Sequence, residues 1–384
     1  MLSFAFSDEQ ELFRQTVREF ARSELAPGYL ARAKQEGAPL EEFQKMAELG
    51  LMGINIPDQY GGQGADYVTT GIAVEEISRA DINCSYPIAV GGLAGGVFLQ
   101  HGTPSQRKDW LPKIAGGEKL VGIALTEPSC GSDAVAMKMT AFRDGDDYVL
   151  NGEKSSISLV NCATDFYLFA KTDPRAGARG VSCFLVPLDT SGITKSFFHD
   201  MGCRPIGRGA LVLKNVRLPA SFLVGQEGRG FHLVMGSFDY TKVLIGLMCL
   251  GVAQTALEEA IDYARERTAF GKPIASFEGV SFPVAEHATR IEAARLLCYK
   301  ALWLRDQGQP HTKEASMCKW WVPRICTDAI QDALLINGHL GYSDEYPLEQ
   351  RFRDVLAYQL ADGTAQIQKI IISREILGRE FLPY

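Results

Sequence analysis

The sequence predicts a mainly α-helical chain interrupted by a central β-domain. Three observations carry that prediction. The first third repeats apolar residues at helical spacing. From near Leu120, short β-branched runs separated by Gly and Asp take over. From near Gly228 the helical period returns and holds almost to the last residue. The 384 residues thus divide into a helical domain at 1–119, a β-domain at 120–227 and a helical bundle at 228–384.

Ser7-Asp8-Glu9-Gln10 reads as a capping box ahead of Leu12, Phe13, Val17, Phe20 and Ala21, which share one helical face. Further helices are predicted at 40–49, 67–79, 88–100 and 105–115, with a turn-rich break from Ile56 to Gly64. Strands are predicted at 120–125, 148–150, 166–170, 181–186 and 210–216. Long helices follow at 231–267, 279–307, 313–337 and 364–378, jointed at Gly308-Gln309-Pro310 and Asn337-Gly338.

Composition excludes several classes of function. Apolar residues make up 46% and charged residues 22%, the balance of a soluble globular protein. A net charge of −7 argues against general nucleic-acid or anionic-membrane binding. The longest apolar run, Val243 to Val252, is too short to cross a bilayer. Nine scattered cysteines, an odd count with no Cys-x-x-Cys, read as reduced thiols of a cytoplasmic protein, and no secretory or transit peptide is expected. The six histidines form no metal-ligand cluster, and no metal is expected. No Gly-x-Gly-x-x-Gly, P-loop or Gly-x-Ser-x-Gly pattern is present.

Two segments carry the chemistry. Thr126-Glu127-Pro128-Ser129-Cys130-Gly131-Ser132-Asp133 follows a strand-like run and offers short donors and free backbone N–H groups to a carbonyl-rich or anionic ligand. Alone it also fits an Asx-type turn after a strand. Near the other end stands Asp362-Gly363-Thr364-Ala365-Gln366. Together with Asn151-Gly152-Glu153-Lys154, Arg267-Thr268-Ala269-Phe270-Gly271-Lys272 and Tyr346-Pro347-Leu348-Glu349 followed by Arg353-Asp354, the chain resembles the acyl-CoA dehydrogenase family over its whole length.

That resemblance implies a helical domain, a middle β-barrel or sandwich and a C-terminal four-helix bundle. It also implies FAD as cofactor, an acyl-CoA substrate, an electron-transfer flavoprotein as acceptor and a homotetramer. It places Ile123, Thr126, Gly131, Ser132, Ser156 and Ser158 against the flavin, and Arg267, Phe270 and Phe277 on an FAD held mainly by a neighbouring subunit. Thr364 and Gln366 approach the FAD from the last helices, and Ser132, Asp239, Lys242 and Gly363 are expected at the substrate. Several residues depart from the family pattern. Ser156 stands where Trp is usual, Glu278 where Gln is usual, and Leu335 to His339 replace a Gln-x-x-Gly-Gly loop. Lys242 replaces an Arg, keeping the charge and losing the planar fork.

By the same resemblance, Asp362 occupies the position of the Glu that abstracts the α-proton, while the β-hydrogen leaves as hydride to flavin N5. The plainer reading of Asp362 is a helix N-cap before 364–378. Thr241 cannot serve as an alternative base, and Asp239 is the other nearby carboxylate. Asp is one methylene shorter than Glu, so the reacting carbon must come nearer the backbone. Ala361, Ser156, Gly91 and Gly92 then suggest a wide, short cavity. A ring thioester such as cyclohexane-1-carbonyl-CoA suits it, as for the Asp-bearing relatives that handle alicyclic acyl groups. Rival readings are a nitroalkane-oxidase-like flavoprotein, a dehydrogenase of carrier-protein-tethered acyl groups, and a flavin-binding partner with a disabled site.

Overall fold

The computed structural model describes residues 4–35 and 37–382. Residues 1–3, 36 and 383–384, which fall in the first and last predicted domains, lie outside the described residues. The capping box forms. The Ser7 hydroxyl accepts the Gln10 N–H at 3.1 Å and the Gln10 side chain accepts the Ser7 N–H at 3.2 Å. This starts α1 (Asp8–Phe20), followed by α2 (Tyr29–Lys34), α3 (Leu40–Glu48), α4 (Tyr67–Ala80), α5 (Ile82–His101) and α6 (Pro104–Ala115). α5 starts at Ile82 instead of 88. Asp81 caps it through the Asn83 N–H at 2.9 Å, so the polar stretch ahead of Pro87 is helical.

The β-domain holds β1 (Val121–Ala124), β2 (Thr140–Asp144), β3 (Asp147–Ile157), β4 (Asp165–Lys171), β5 (Val181–Pro187), β6 (Ile193–Phe197), β7 (Gly209–Pro219) and β8 (Leu223–Val224). They form one sheet in the order β6-β7-β3-β2-β4-β5-β8, with β1 parallel to β4. β2, β6 and β8 are not predicted from the sequence. β6 is an edge strand with four of its five residues exposed, so it lacks the apolar alternation of a strand that covers a core.

The chain then runs through α7 (Gly230–Glu266), a small hairpin of β9 (Thr268–Ala269) and β10 (Lys272–Pro273), α8 (Glu278–Asp306), α9 (Thr312–Ile336), α10 (His339–Tyr342), α11 (Pro347–Ala357) and α12 (Ala365–Leu377). α7 packs against α9, α8, α4 and α5, and α12 against α9. By length and composition α5 and α7 could each cross a membrane, but 83% and 72% of their most apolar stretches are buried inside the protein. A helix apolar all round belongs in a core, and that is where both lie.

Asp354, in the unpredicted helix α11, joins all three layers. It accepts the Tyr29 hydroxyl at 2.9 Å, the Asn83 side-chain amide at 3.3 Å and the Cys203 N–H at 2.6 Å. Burial pushes its carboxyl up to about 6, against the hydrogen bonds it accepts. The folded protein therefore holds this proton more tightly than the unfolded chain does. The group's stabilising contribution is complete below the unfolded pKa near 4 and is lost as pH rises through about 6, a change of roughly 3 kcal/mol. Asp354→Asn is expected to remove this component, flattening the urea midpoint between pH 4.5 and 7.

Candidate functional site

A cavity of about 430 Å³ opens where the three domains meet, lined from β1, β3, α5, α7 and α12 and the segments that flank them. Each element reaches it by its own geometry. α5 presents Tyr86, Ala89, Val90 and Leu93, a stripe at helical spacing. α7 presents Phe231, Met235, Phe238, Lys242 and Ile245 in the same way. Along β3 and just beyond, Ser155, Ser156, Ile157, Ser158 and Leu159 all contribute to the cavity wall. A regular strand would alternate, but the pairing with β7 slips between Lys154 and Ile157. Ser156 (φ 55°) and Leu159 (φ 66°) also adopt left-handed backbone, strain of the kind that collects at functional sites.

The 125–133 loop is held from beneath. Glu127 and Cys130 exchange backbone hydrogen bonds at 3.0 and 3.1 Å across Pro128-Ser129. The buried Glu127 carboxylate accepts the Lys138 N–H at 2.6 Å, the Met139 N–H at 3.0 Å and the Lys154 ammonium at 2.9 Å. Lys154, fully buried, also donates to the Leu125 carbonyl at 2.9 Å, and Ser155 N–H to the Thr126 carbonyl at 2.9 Å. This ties the two sequence motifs into one unit. The loop then turns Thr126, Gly131 and Ser132 toward the cavity, beside Ile123.

Opposite that wall, Leu360, Ala361, Asp362, Gly363 and Thr364 form the turn between α11 and α12, and all five line the cavity. Asp362 (φ 52°) and Gly363 (φ 90°) are both left-handed. Thr364, not Asp362, is the N-cap of α12, its hydroxyl accepting the Ile367 N–H at 3.5 Å. The capping reading of Asp362 is therefore overturned: the residue lines the cavity instead. Asp362 keeps an exposed surface, but the protein packed around its turn still pushes that carboxyl above its usual range, and Lys319 pulls it back.

Two other expectations change. Gly91 and Gly92 do not line the cavity. A Cβ on Gly92 would lie 2.7 Å from the Tyr240 hydroxyl, and one on Gly91 3.0 Å from the Met52 carbonyl, so these glycines let neighbours approach the far side of α5. Asp239 is also off the cavity wall. It accepts the Lys242 ammonium at 2.8 Å and the Thr312 hydroxyl at 2.5 Å, and so holds Lys242 in place.

Arg267, Phe270, Phe277, Glu278, Leu335, His339 and Gln366 do not line the cavity within one chain. Arg267 ends α7, and Phe270 is 96% exposed at the hairpin turn, edge-on to Phe277 at 6.1 Å. His287 on α8 meets Asp332 on α9 at 2.6 Å, which brings the first half of α8, begun by Glu278, against the last turns of α9, which hold Leu335; His339 opens the short α10 that follows. Gln366 is exposed on the first turn of α12, whereas Gln368 lines the cavity. Sequence reasoning missed Gln368, Tyr86, Arg208 and Lys319. Tyr86 is three, four and seven residues ahead of Ala89, Val90 and Leu93, and that spacing was the available signal.

The chain matches the acyl-CoA dehydrogenase N-terminal domain family over residues 7–118, the middle domain family over 122–216 and the C-terminal domain family over 228–377. It is 39% identical to an acyl-CoA dehydrogenase of Bacillus subtilis, covering 97% of this chain and 99% of that one. It is 38% identical to the caffeyl-CoA reductase-Etf complex subunit CarC of Acetobacterium woodii, covering 97% of this chain and 100% of that one. The solved butyryl-CoA dehydrogenase of Megasphaera elsdenii superposes with a TM-score of 0.95 at 31% identity, covering 98% of this chain and 100% of that one. With helical, β and helical domains in matching order around a cavity walled by the Thr-Glu-Pro loop and the Asp-Gly-Thr turn, this chain belongs to the acyl-CoA dehydrogenase family of oxidoreductases.

Proposed function

We propose that this protein is an FAD-dependent acyl-CoA dehydrogenase that introduces a 2,3-double bond into an alicyclic or α-branched acyl-CoA, of the cyclohexane-1-carbonyl-CoA kind, with Asp362 as base. The observation that carries the reading is Asp362 itself, a short carboxylate on a left-handed turn that lines the cavity. Two small side chains, Ala361 next to Asp362 and Ser156 on the facing β wall, line the same space and leave room for a ring.

The β-domain wall fits a flavin. Hydroxyls of Thr126, Ser132, Ser156 and Ser158 alternate with apolar Ile123, Ile157 and Leu159, the mixture a flat aromatic ring with a polar edge requires. Gly131 has open space where a Cβ would stand, so its backbone is open to close approach. Bound there, FAD supplies the acceptor for the hydride that leaves the β-carbon. The protein does the rest. Val90, Leu93, Phe231, Met235 and Phe238 exclude water from the acyl end. Drying the site keeps Asp362 a stronger base than a solvated carboxylate, and it takes the α-proton.

The Acetobacterium relative is named as part of an Etf complex, which supports an electron-transfer flavoprotein as acceptor. Exposed Phe270, Leu335, Leu340 and Tyr342 support burial of these segments in a homotetramer, where Arg267, Phe270 and Phe277 would meet a neighbour's FAD. All nine cysteines are free thiols, in keeping with a cytoplasmic location.

The test is an anaerobic titration of the yellow protein with ring, branched and linear acyl thioesters, free as CoA or tethered to a carrier, alongside a nitroalkane. Ring acyl-CoAs are expected to bleach the oxidised flavin band at the lowest concentration. Ala361→Tyr is expected to weaken the ring substrates by about 10–200-fold relative to linear ones. Bleaching by linear thioesters alone would remove the alicyclic assignment. Oxygen consumption with the nitroalkane would replace the dehydrogenase with an oxidase.

A further inference from the structure

Lys319 on α9 is 1% exposed. Its ammonium donates to the Tyr358 carbonyl at 2.7 Å and to the Gly363 carbonyl at 3.3 Å. Tyr358 is the C-cap of α11, and Gly363 directly precedes the N-cap of α12. The two carbonyls therefore bracket the turn that carries Asp362. No carboxylate among the described residues pairs directly with Lys319, so a charge is buried on carbonyl partners alone, an expensive arrangement for a mere clamp. The Gly363 carbonyl already has a neutral donor in Gln368, at 3.3 Å. What an ammonium adds is positive charge.

Lys319 feels Asp362 from the turn, with Lys242 and the Cys249 thiol from α7. Tyr86 feels Asp362 from α5. Lys242 is neutralised by Asp239 at 2.8 Å, and Arg208, on the opposite wall, by Asp200 at 2.6 Å. Among the described residues, the cation left to act on Asp362 is Lys319.

We propose that Lys319 is the positioning residue of this site: its ammonium fixes both ends of the turn that presents Asp362 and supplies the positive charge against which that carboxylate ionises. This rests on Asp362 being the base. Burial pushes Asp362 up and pulls Lys319 down, and each charge opposes the shift of the other. Removing the cation raises Asp362 further, so the basic form appears only at higher pH.

The experiment is stopped-flow reduction of the FAD-loaded enzyme by cyclohexane-1-carbonyl-CoA across pH, for wild type, Lys319→Met, Lys319→Arg and Asp362→Asn. The acid limb of the Met variant is expected to move up by about one unit or more. The Arg variant, which keeps the charge, is expected to restore the wild-type limb even where its maximal rate falls. A Met variant that loads FAD and superimposes on the wild-type limb overturns the proposal. If the Met variant does not fold, the Arg variant decides: a limb displaced by more than about half a unit overturns the charge assignment, and an unmoved limb supports it. If Asp362→Asn reduces at the wild-type rate, the base assignment falls and this proposal with it. If Asp362→Asn is inactive and the Met limb is unmoved, only the role of Lys319 falls.

Discussion

Asp362→Asn is expected to slow flavin reduction by an acyl thioester by about 10²–10⁴-fold, the usual contribution of a positioned base. Folding, FAD content and thioester affinity should remain close to wild type. The change is nearly isosteric, and the side chain neither caps α12 nor forms a direct ion pair. Because the surroundings of Asp362 already disfavour the charged carboxylate, a neutral amide there costs the fold little. The wild-type rate should fall as pH drops through the raised Asp362 pKa, and the Asn variant should lack that limb. Asp362→Glu keeps the charge and adds about 1.5 Å of reach. A displacement of about 1 Å can cost about 100-fold, so Glu should disfavour ring substrates and spare linear ones. Single-turnover flavin reduction over a thioester panel reads all three effects. An Asn variant that keeps the wild-type rate throughout would move the base elsewhere.

The α, β, α order was legible because the apolar period changes near Leu120 and Gly228, and a change of period is a local property. The Thr126–Asp133 loop and the Asp362 turn were legible for the same reason, since their Pro, Gly and hydroxyl residues mark irregular backbone wherever they occur. Asp362 needed more than pattern. Its cap reading fitted the local sequence too, and only the hydrogen bond from the Ile367 N–H to the Thr364 hydroxyl shows that Thr364 caps instead. Lys319 sits in Met317-Cys318-Lys319-Trp320-Trp321, where a lone cation gives no hint of which carbonyls it will meet; those lie 39 and 44 residues away. Gly91 and Gly92 were misread because small residues allow either an open cavity or a close neighbour. Sequence does not distinguish these until Tyr240 and Met52 are placed. Phe270 and Leu335 are exposed and stand off the cavity in one chain, a placement that local pattern does not encode.

The largest stability effect is expected at Lys154. Lys154→Met should cost about 3–5 kcal/mol, because it leaves the Glu127 carboxylate buried without its counter-charge. Two backbone N–H groups, of Lys138 and Met139, would still donate to it, which limits the loss without removing it. Burial pulls Lys154 below its ordinary range and Glu127 holds it up, the signature of a pair that is stable only as a pair. The double variant Lys154→Met, Glu127→Gln should therefore recover much of the loss, since a buried ion pair replaced by neutral groups of similar volume is often tolerated. The Ser155–Thr126 backbone bond survives in both variants, so the loop should loosen without detaching from β3. In the single variant, FAD release is then expected at lower urea than global unfolding, because the loop that walls the flavin side of the cavity has lost its central tie. Urea titrations that follow flavin fluorescence and helical signal together read both events. A Lys154→Met protein within about 1 kcal/mol of wild type, with the two signals lost at one midpoint, would show that the loop stands without the buried pair.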